Sequence, residues 1–512
     1  MEITRRNAIG VLASAIPAAR TASAQTPSGL AIQKGPFEGT RESLKAYRVP
    51  DWFRDAKFGI WAHWGPQSAP EQGDWYARNM YIEGNSQYKW HQQNFGHQSK
   101  AGFKDVIPTF KGEKFDPEHL MDLYKKAGAK YFVSMGVHHD NFDLWNSKHT
   151  RWNSVNMGPK KDIVGLFRQA ALKRGLKFGV SEHLWISYKW FGTSHDSDKA
   201  GEFAGVPYDG NDPKNVDLYH DLPKDYPAKF SWDAEGVPDS WKHHWFDRIK
   251  DLVDNYHPDL LYTDGALPFE EYGLNLVAHL YNENAKRHGG KVEAVYNSKR
   301  KEDCVEGTCV LDFERGLADA IQPNPWQTDT CVGNWHYKRD VKYKSPKTVI
   351  DLLVDIVSRN GNLLLNFPLP GSGEPDAQEF AILSEITAWM AVNSEGIYGT
   401  RPWKIFGEGP ATGQKGTGRF NENGRKDLSD RDVRYAVKGK TLYAFLMGWP
   451  GKEAVVSGLG SGGTVDAGQI RNVELLGHDG KLKWTHEESG LKVEMPEAKP
   501  SNYAVALKIS LS

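Results

Sequence analysis

The stretch Pro258-Asp-Leu-Leu-Tyr-Thr-Asp-Gly-Ala266, PDLLYTDGA, sets the architecture. Its apolar run has the length of one buried strand, and it ends on a carboxylate, Asp264, followed by a glycine. Patterns of helical length flank it, SWKHHWFDRIKDLVDNY (240–256) before and LNLVAHLYNENAKRHG (274–289) after. The alternation continues in both directions. Strand-like runs recur at KFGIWAH (57–63), KYFVSMGVHH (130–139), LKFGVSEH (176–183), VEAVYNS (292–298), CVLDFERG (309–316) and NLLLNFPL (362–369), with a weaker one at PWQTDT (325–330). Further helical patterns are DPEHLMDLYKKAG (116–128), DIVGLFRQAALKRG (162–175) and SPKTVIDLLVDIVSRNG (345–361), each opening on Asp or Ser and closing on Gly as helix caps require. Strands alternating with helices over short connections imply a parallel sheet, and about eight such units favour an α/β fold of the (β/α)₈, TIM-like barrel type. An open doubly wound sheet is the alternative, but no G-x-G-x-x-G follows an early strand.

Past residue 403 the texture changes. A glycine-rich stretch, GEGPATGQKGTGRFNENG (407–424), leads into short alternating segments such as VRYAVKGKTLYAFLMG and NYAVALKISLS, the pattern of hairpins in a small antiparallel β-sandwich. The N-terminus carries Arg5-Arg6, then the apolar AIGVLASAIPAA, then Ala22-Ser23-Ala24 before Gln25, the layout of a cleavable export signal of twin-arginine type. The chain therefore divides into a signal peptide at 1–24, a catalytic barrel at 25–403 and a C-terminal sandwich at 404–512, with a periplasmic or secreted mature protein of bacterial type. A disordered basic leader is the competing explanation of the first residues.

Composition removes several functions. Lys and Arg total 64 against 65 Asp and Glu, so no long-range field draws nucleic acid or an anionic membrane. No run after residue 25 reaches the length of a membrane span. The 18 Trp, 21 Tyr and 22 Phe supply flat apolar platforms of the kind that bind sugars. Cys304, Cys309 and Cys331 are too few for a disulfide scaffold and lack zinc-site spacing; a Cys304–Cys309 bridge would leave Cys331 alone. No G-x-S-x-G elbow or phosphate loop occurs.

In such a barrel the chemistry sits at the C-terminal ends of the strands. Here those ends carry His63-Trp64, His138-His139-Asp140, Glu182-His183, Asp264, Asn297, Asp312 and Glu314. Any one of them is more often a cap or a structural hydrogen bond. Their convergence on one mouth has the makings of a carbohydrate site. Neighbours on a strand face opposite ways, so His138 and His139 share an ion only if the backbone turns there, and no H-E-x-x-H stands at a strand end. A catalytic metal is not expected.

The segments WFRDAKFGIWAHWGPQSAPEQGDWYARNMY (52–81), YFVSMGVHHDNFDLWNSKHTRWNSVN (131–156), GLKFGVSEH (175–183), DLLYTDG (259–265), PWQTDT (325–330) and VIDLLVDIVSRNGNLLLNFPLPGSGEPD (349–376) together resemble the α-L-fucosidases of glycoside hydrolase family 29. The resemblance covers about residues 40–403 and is weaker beyond. It implies a barrel enzyme without cofactor or metal that removes terminal α-L-fucose from oligosaccharides or glycoconjugates with retention, through a covalent intermediate. On this resemblance Asp264 is the nucleophile, and His63 with Trp64, Trp75, His138 and His139 contact the sugar. Asp74 replaces the usual Glu, SEH leaves His183 or Glu182 where a tyrosine is familiar, and Tyr262 stands where many members have another aromatic.

A retaining glycosidase needs an ionised carboxylate and, about 5–5.5 Å away, a protonated one. No short motif marks the acid/base. Glu314 closes the sixth strand, Glu306 lies in a Cys-flanked loop before it and Glu182 is a third choice; Glu314 is preferred, provided Arg315 points elsewhere. The insertion at 190–240 is expected to line the leaving-group side. Two other functions compete: a retaining glycosidase on a related sugar such as a galactoside, and a silent carbohydrate-binding protein, for which a preserved carboxylate pair has no use.

Overall fold

The computed structural model describes residues 30–223, 230–413, 418–425, 427–462 and 468–512, so the export segment at 1–24 lies outside the described residues. Eight parallel strands form the barrel: β1 Phe58–Ala62, β2 Tyr131–Val137, β3 Lys177–Glu182, β4 Leu260–Thr263, β5 Val295–Ser298, β6 Val310–Leu311, β7 Trp326–Cys331 and β8 Gly361–Asn366. They pair in the order β6-β5-β4-β3-β2-β1-β8-β7. One parallel bridge, Asp312 to Gln327, closes the gap between β6 and β7. Every residue of β1, β2, β4, β5, β7 and β8 is buried, as in strands covered on both faces. Gly59 is required in β1 because the Tyr131 ring stands 2.3 Å from where a Cβ would be.

Helices Pro117–Lys126, Ile163–Lys173, Asp239–Tyr256, Glu271–Arg287, Pro346–Ser358 and Ala377–Asn393 ring the barrel. Asp116, Asp162 and Ser345 cap three of them by accepting from the backbone N–H groups of His119, Gly165 and Thr348. The ring is thin at one place. A 3₁₀ turn, Lys301–Gly307, joins β5 to β6, and among the described residues no helix follows β6. The Cys304–Cys309 disulfide closes that turn, and Cys331 is free and buried in β7.

The C-terminal sheets comprise β9 Arg401–Glu408, β10 Val433–Lys438, β11 Thr441–Leu446, β12 Glu453–Val456, β13 Ile470–Leu475, β14 Trp484–Glu487, β15 Gly490–Glu494 and β16 Val505–Leu511. Five of them pair as β13-β16-β11-β10-β9 and three as β12-β15-β14. Leu442, Leu446, Leu507 and Ile509 from the larger sheet share one core with Val456, Leu491 and Val493 from the smaller. The other face of the larger sheet packs on the barrel: Trp389 Nε1 donates to Ala504 O at 2.7 Å, and buried Arg434 pairs with Asp355 of a barrel helix.

Residues 418–422 form a strap over the weak seam. Leu317 and Gly418 make an antiparallel bridge. Phe420 N donates to Glu314 O at 2.8 Å and Glu422 N to Arg315 O at 3.0 Å, while the Asn421 side chain accepts from Leu317 N and donates to Leu317 O. Thr330 Oγ1 and Lys344 Nζ both reach the Glu422 carboxylate. The backbone beside the short β6 thus finds its hydrogen-bond partners a hundred residues away.

Candidate active site

A cavity of about 570 Å³ opens at the C-terminal ends of the strands. Asp264 stands on the first turn after β4, its backbone N–H donating to Glu182 O at 3.1 Å and its carbonyl accepting from Trp185 Nε1 at 2.6 Å. Gly265 takes φ +100° with the Trp185 ring 3.2 Å from a hypothetical Cβ, which explains the Asp-Gly pair: only glycine passes under that indole. The carboxylate of Asp264 lies 2.6 Å from Lys299 Nζ, 3.3 Å from His183 Nδ1 and 3.4 Å from His139 Nε2.

Lys299 organises the centre. It follows β5, its N–H donates to Gly265 O at 2.8 Å, and its buried ammonium also contacts Glu314 Oε2 at 2.7 Å and Asp329 Oδ2 at 3.5 Å. One ammonium between Asp264 and Glu314 holds their nearest oxygens no farther apart than its two contacts laid end to end. The two acids respond oppositely. Burial disfavours ionisation of both, but Lys299 and His183 outweigh it at Asp264 and hold that carboxyl well below the usual range. At Glu314 burial prevails over Lys299, reinforced by the neighbouring Asp329 and Asp264 charges, and the pKa rises. Environments that drive two carboxyls apart assign one as base or nucleophile and the other as acid.

Imidazoles form the opposite wall, and burial keeps three of them neutral. His63 and His138 are pushed well below the ordinary histidine value, first by burial and then by their imidazole neighbours, and His183 falls to about 4. Their tautomers follow from their partners. His63 Nδ1 faces Asn366 Oδ1 at 3.2 Å, and Asn366 donates its amide to Trp335 O, so His63 donates through Nδ1 and leaves Nε2 to accept. Gln67 accepts from Ala77 N and donates to His138 Nδ1 at 2.9 Å, leaving the His138 proton on Nε2. His139 Nδ1 donates to His183 O at 2.7 Å. His336 Nδ1 donates to Asp74 Oδ1 at 2.6 Å, and His138 Nε2 is 3.8 Å from the same oxygen. The result is a wall of fixed donors and acceptors suited to hydroxyl groups.

His63–His138–His183, Asp74–His138–His336 and His139–His183–Asp264 each have potential ligand atoms within 4.8 Å of one another and are the residues that could hold an ion. Several of these atoms are committed to hydrogen bonds as just described.

His63, Asp74, Trp75, His138, His139, His183, Asp264 and Glu314 all line this one cavity. His138 and His139 both do so because β2 ends at Val137 and the chain turns there. Two expected contacts do not reach it. Trp64 points away from the mouth, donating its Nε1 to Pro370 O and packing on Phe110 and Phe115. The alternation that turns His63 inward turns its neighbour outward. Tyr262 is fully buried beneath the site, its hydroxyl donating to Asp329 Oδ2 at 2.9 Å. Glu182 is saturated by Trp245 Nε1, Thr263 Oγ1 and Leu184 N and, raised to about 7 by burial, serves the wall behind the site. Asp312 accepts from Gln327 in the barrel interior, and Asn297 is likewise buried below the mouth. The Glu306 side chain lies outside the described residues. Arg315 turns to Cys331 Sγ and covers the Trp335 ring, leaving Glu314 unpaired with it.

The residues named from the sequence leave out several that line the cavity: Lys299, Arg300, Asp329, Trp335, Arg419 and Phe420. Trp185 and Trp232 come from the 184–240 region, and Trp232 belongs to the insertion expected at the leaving-group side. Lys299 stands two residues past Asn297, so continuing the strand-end inspection by one turn finds it.

The family model described as Alpha-L-fucosidase matches residues 24–395, and that described as Alpha-L-fucosidase C-terminal domain matches residues 425–510. The human tissue alpha-L-fucosidase is 28% identical over 477 residues, covering 90% of this chain and 88% of the relative, and the human plasma alpha-L-fucosidase is 28% identical over 483 residues, covering 90% and 89%. A Thermotoga maritima alpha-fucosidase solved in complex with fucose superposes with a TM-score of 0.68 at 23% identity, over 92% of this chain and 100% of that one. A family 29 alpha-L-fucosidase from Bacteroides thetaiotaomicron gives 0.61 at 19% identity, over 94% and 98%. These structural likenesses carry the barrel and the C-terminal sheets. With most of its length matched by the family's own model, and with paired carboxylates in a polar, aromatic-walled cavity at the barrel mouth, the chain belongs to the α-L-fucosidase family of glycoside hydrolases.

Proposed function

We propose that the protein is an exo-acting, retaining α-L-fucosidase that releases terminal α-L-fucose from glycans through a covalent glycosyl-enzyme intermediate, with Asp264 as nucleophile and Glu314 as acid/base. The observation that carries this is the single Lys299 ammonium between the two carboxylates, which brings their nearest oxygens no farther apart than its two contacts laid end to end, within the spacing of about 5–5.5 Å that retention requires. In the first step the Asp264 carboxylate attacks the anomeric carbon while protonated Glu314 delivers its proton to the departing glycosidic oxygen. In the second step Glu314, now ionised, takes a proton from water, which attacks the same carbon and displaces Asp264. His63, His138, His139, His183 and Asp74 hold the sugar hydroxyls, and the Trp75 and Trp335 rings give the 6-methyl group of fucose an apolar face.

Retention has a direct test. Proton NMR of an early reaction mixture from an aryl α-L-fucoside is expected to show α-L-fucose before mutarotation. A first-formed β anomer overturns the mechanism, and equal hydrolysis of the aryl α-galactoside overturns the sugar assignment.

Export is part of the proposal. It rests on the Arg5-Arg6 and Ala22-Ser23-Ala24 pattern; among the described residues no helix is long and apolar enough to cross a membrane. Mass spectrometry of periplasmic protein from a bacterial host is expected to find an N-terminus near Gln25, and Arg5-Arg6→Lys-Lys to trap the precursor in the cytoplasm. Undiminished export of that variant points to the general secretory route.

A further inference from the structure

The lining of the cavity reaches beyond the strand ends around Asp264 to other parts of the chain. One side is Trp232, which is 50% exposed and continues an aromatic wall outward from the nucleophile: its ring lies 6.0 Å from Trp75, 5.6 Å from His139 and 6.4 Å from Trp185. The other side is the strap, which brings Arg419 and Phe420 into the lining. These two residues fall between the stretches 24–395 and 425–510 that the family models match.

Phe420 is unusual in two ways. It is the most exposed large apolar side chain among the described residues, at 61%, and its backbone is left-handed, with φ +56°. A phenylalanine there is strained, and the strain is maintained by the bonds of Phe420 N to Glu314 O and of Glu422 N to Arg315 O on either side. The chain thus holds an aromatic ring at the mouth of the site, on the residue bonded to the backbone of the acid/base, where burial gains it nothing.

The charges at the rim differ from those within. Lys299 is matched by Asp264, Glu314 and Asp329. Arg300 has only Glu302, at 3.6 Å, and exposed Arg419 has no ion pair among the described residues. Two guanidinium groups and two exposed rings in the lining of one cavity make a surface for a sugar that bears an anion: rings stack on its apolar face, and planar guanidinium forks fit sulfate or carboxylate oxygens.

We propose that Arg300, Arg419, Trp232 and Phe420 form the leaving-group subsite of this enzyme and that it selects fucosides whose next sugar is acidic. This rests on the fucosidase function proposed above. Sulfate and carboxylate share the required chemistry, and the test separates them.

Three α-L-fucosyl disaccharides of one linkage, with galactose, sulfated galactose or galacturonate as the second residue, are to be compared by kcat/KM at low and high ionic strength. At least one acidic substrate is expected to exceed the neutral one by about 10-fold at low salt, through KM, with the advantage shrinking as salt rises. The substrate that gains identifies the anion. Arg300→Gln/Arg419→Gln is expected to bring the ratio within about twofold of unity. The ratio is taken within each enzyme, so partial loss of folded protein does not affect it. Phe420→Gly, which relieves the left-handed strain, is expected to raise KM for all three disaccharides alike. Parity of the three substrates in the parent enzyme, or a preference that survives both arginine substitutions, overturns the subsite while leaving the fucosidase intact. Failure to cleave any fucoside removes both.

Discussion

In Asp264→Asn, kcat on an aryl α-L-fucoside is expected to fall by about 10⁴-fold or more, while the fold and the affinity for fucose stay close to those of the parent. The substitution keeps the shape of the side chain and removes only its charge and nucleophilicity. Lys299 stays buried beside Glu314 at 2.7 Å and Asp329 at 3.5 Å, so it is not stranded. Thermal melting and fucose titration check the first two properties. Turnover within tenfold of the parent would take Asp264 out of the mechanism. The Glu314 carboxyl, relieved of a like charge that raises it and still facing Lys299, is expected to ionise at lower pH in this variant.

Glu314→Ala is expected to lose about 10²- to 10⁴-fold on substrates with poor leaving groups, the range for a general acid. The loss is smaller on a dinitrophenyl fucoside, whose departure needs no proton. Azide should then restore turnover and yield the α-fucosyl azide, because it attacks an intermediate that Asp264 still forms. In Asp264→Ala the azide enters directly and gives the β product. The pH profile gives a second readout. The proposed mechanism needs Glu314 protonated, so activity is expected to decline as pH rises through its raised pKa, and it needs Asp264 ionised, so activity is expected to persist below the ordinary carboxyl range. Removing Glu314 should abolish the alkaline decline and leave the acidic one. The α-azide from Glu306→Ala in place of Glu314→Ala would move the acid/base to the disulfide-closed turn.

The barrel was legible because its strands are buried on both faces and read as continuous apolar runs between capped amphipathic helices. The seventh strand looked weak, since WQTDTC is polar, yet it is six residues long and wholly buried. Its Gln327 and Thr328 bond inside the barrel to Tyr131, Asp312 and Gly316 O, and Asp329 accepts from Tyr262 through Oδ2, a network that hydropathy cannot register. The sixth strand looked strong and is only Val310–Leu311, because the chain leaves the sheet to meet the strap. At the site, strand-end position located Asp264, Glu314 and the imidazoles, but it could not decide which of two adjacent residues faces the cavity. Hence Trp64, expected at the sugar, lies outside the cavity lining, and Tyr262 supports Asp329 from below. Trp335 and Arg419 follow no local pattern. They reach the cavity only through the closure of the barrel and the docking of the second module.

The strap also ties together segments that are far apart in the chain. Leu317 waits for Asn421, 104 residues later, before its backbone is bonded, and Glu314 waits for Phe420. Pairing across that interval makes the loop-closure entropy a late expense of folding, and until it is met the β6–β7 seam exposes open backbone to any neighbouring strand. A nascent chain that has emerged only through β8 already contains both carboxylates proposed for catalysis, yet the Glu314 carbonyl lacks its Phe420 partner. Activity during synthesis is therefore expected to become measurable only once the last hundred residues have left the ribosome and docked.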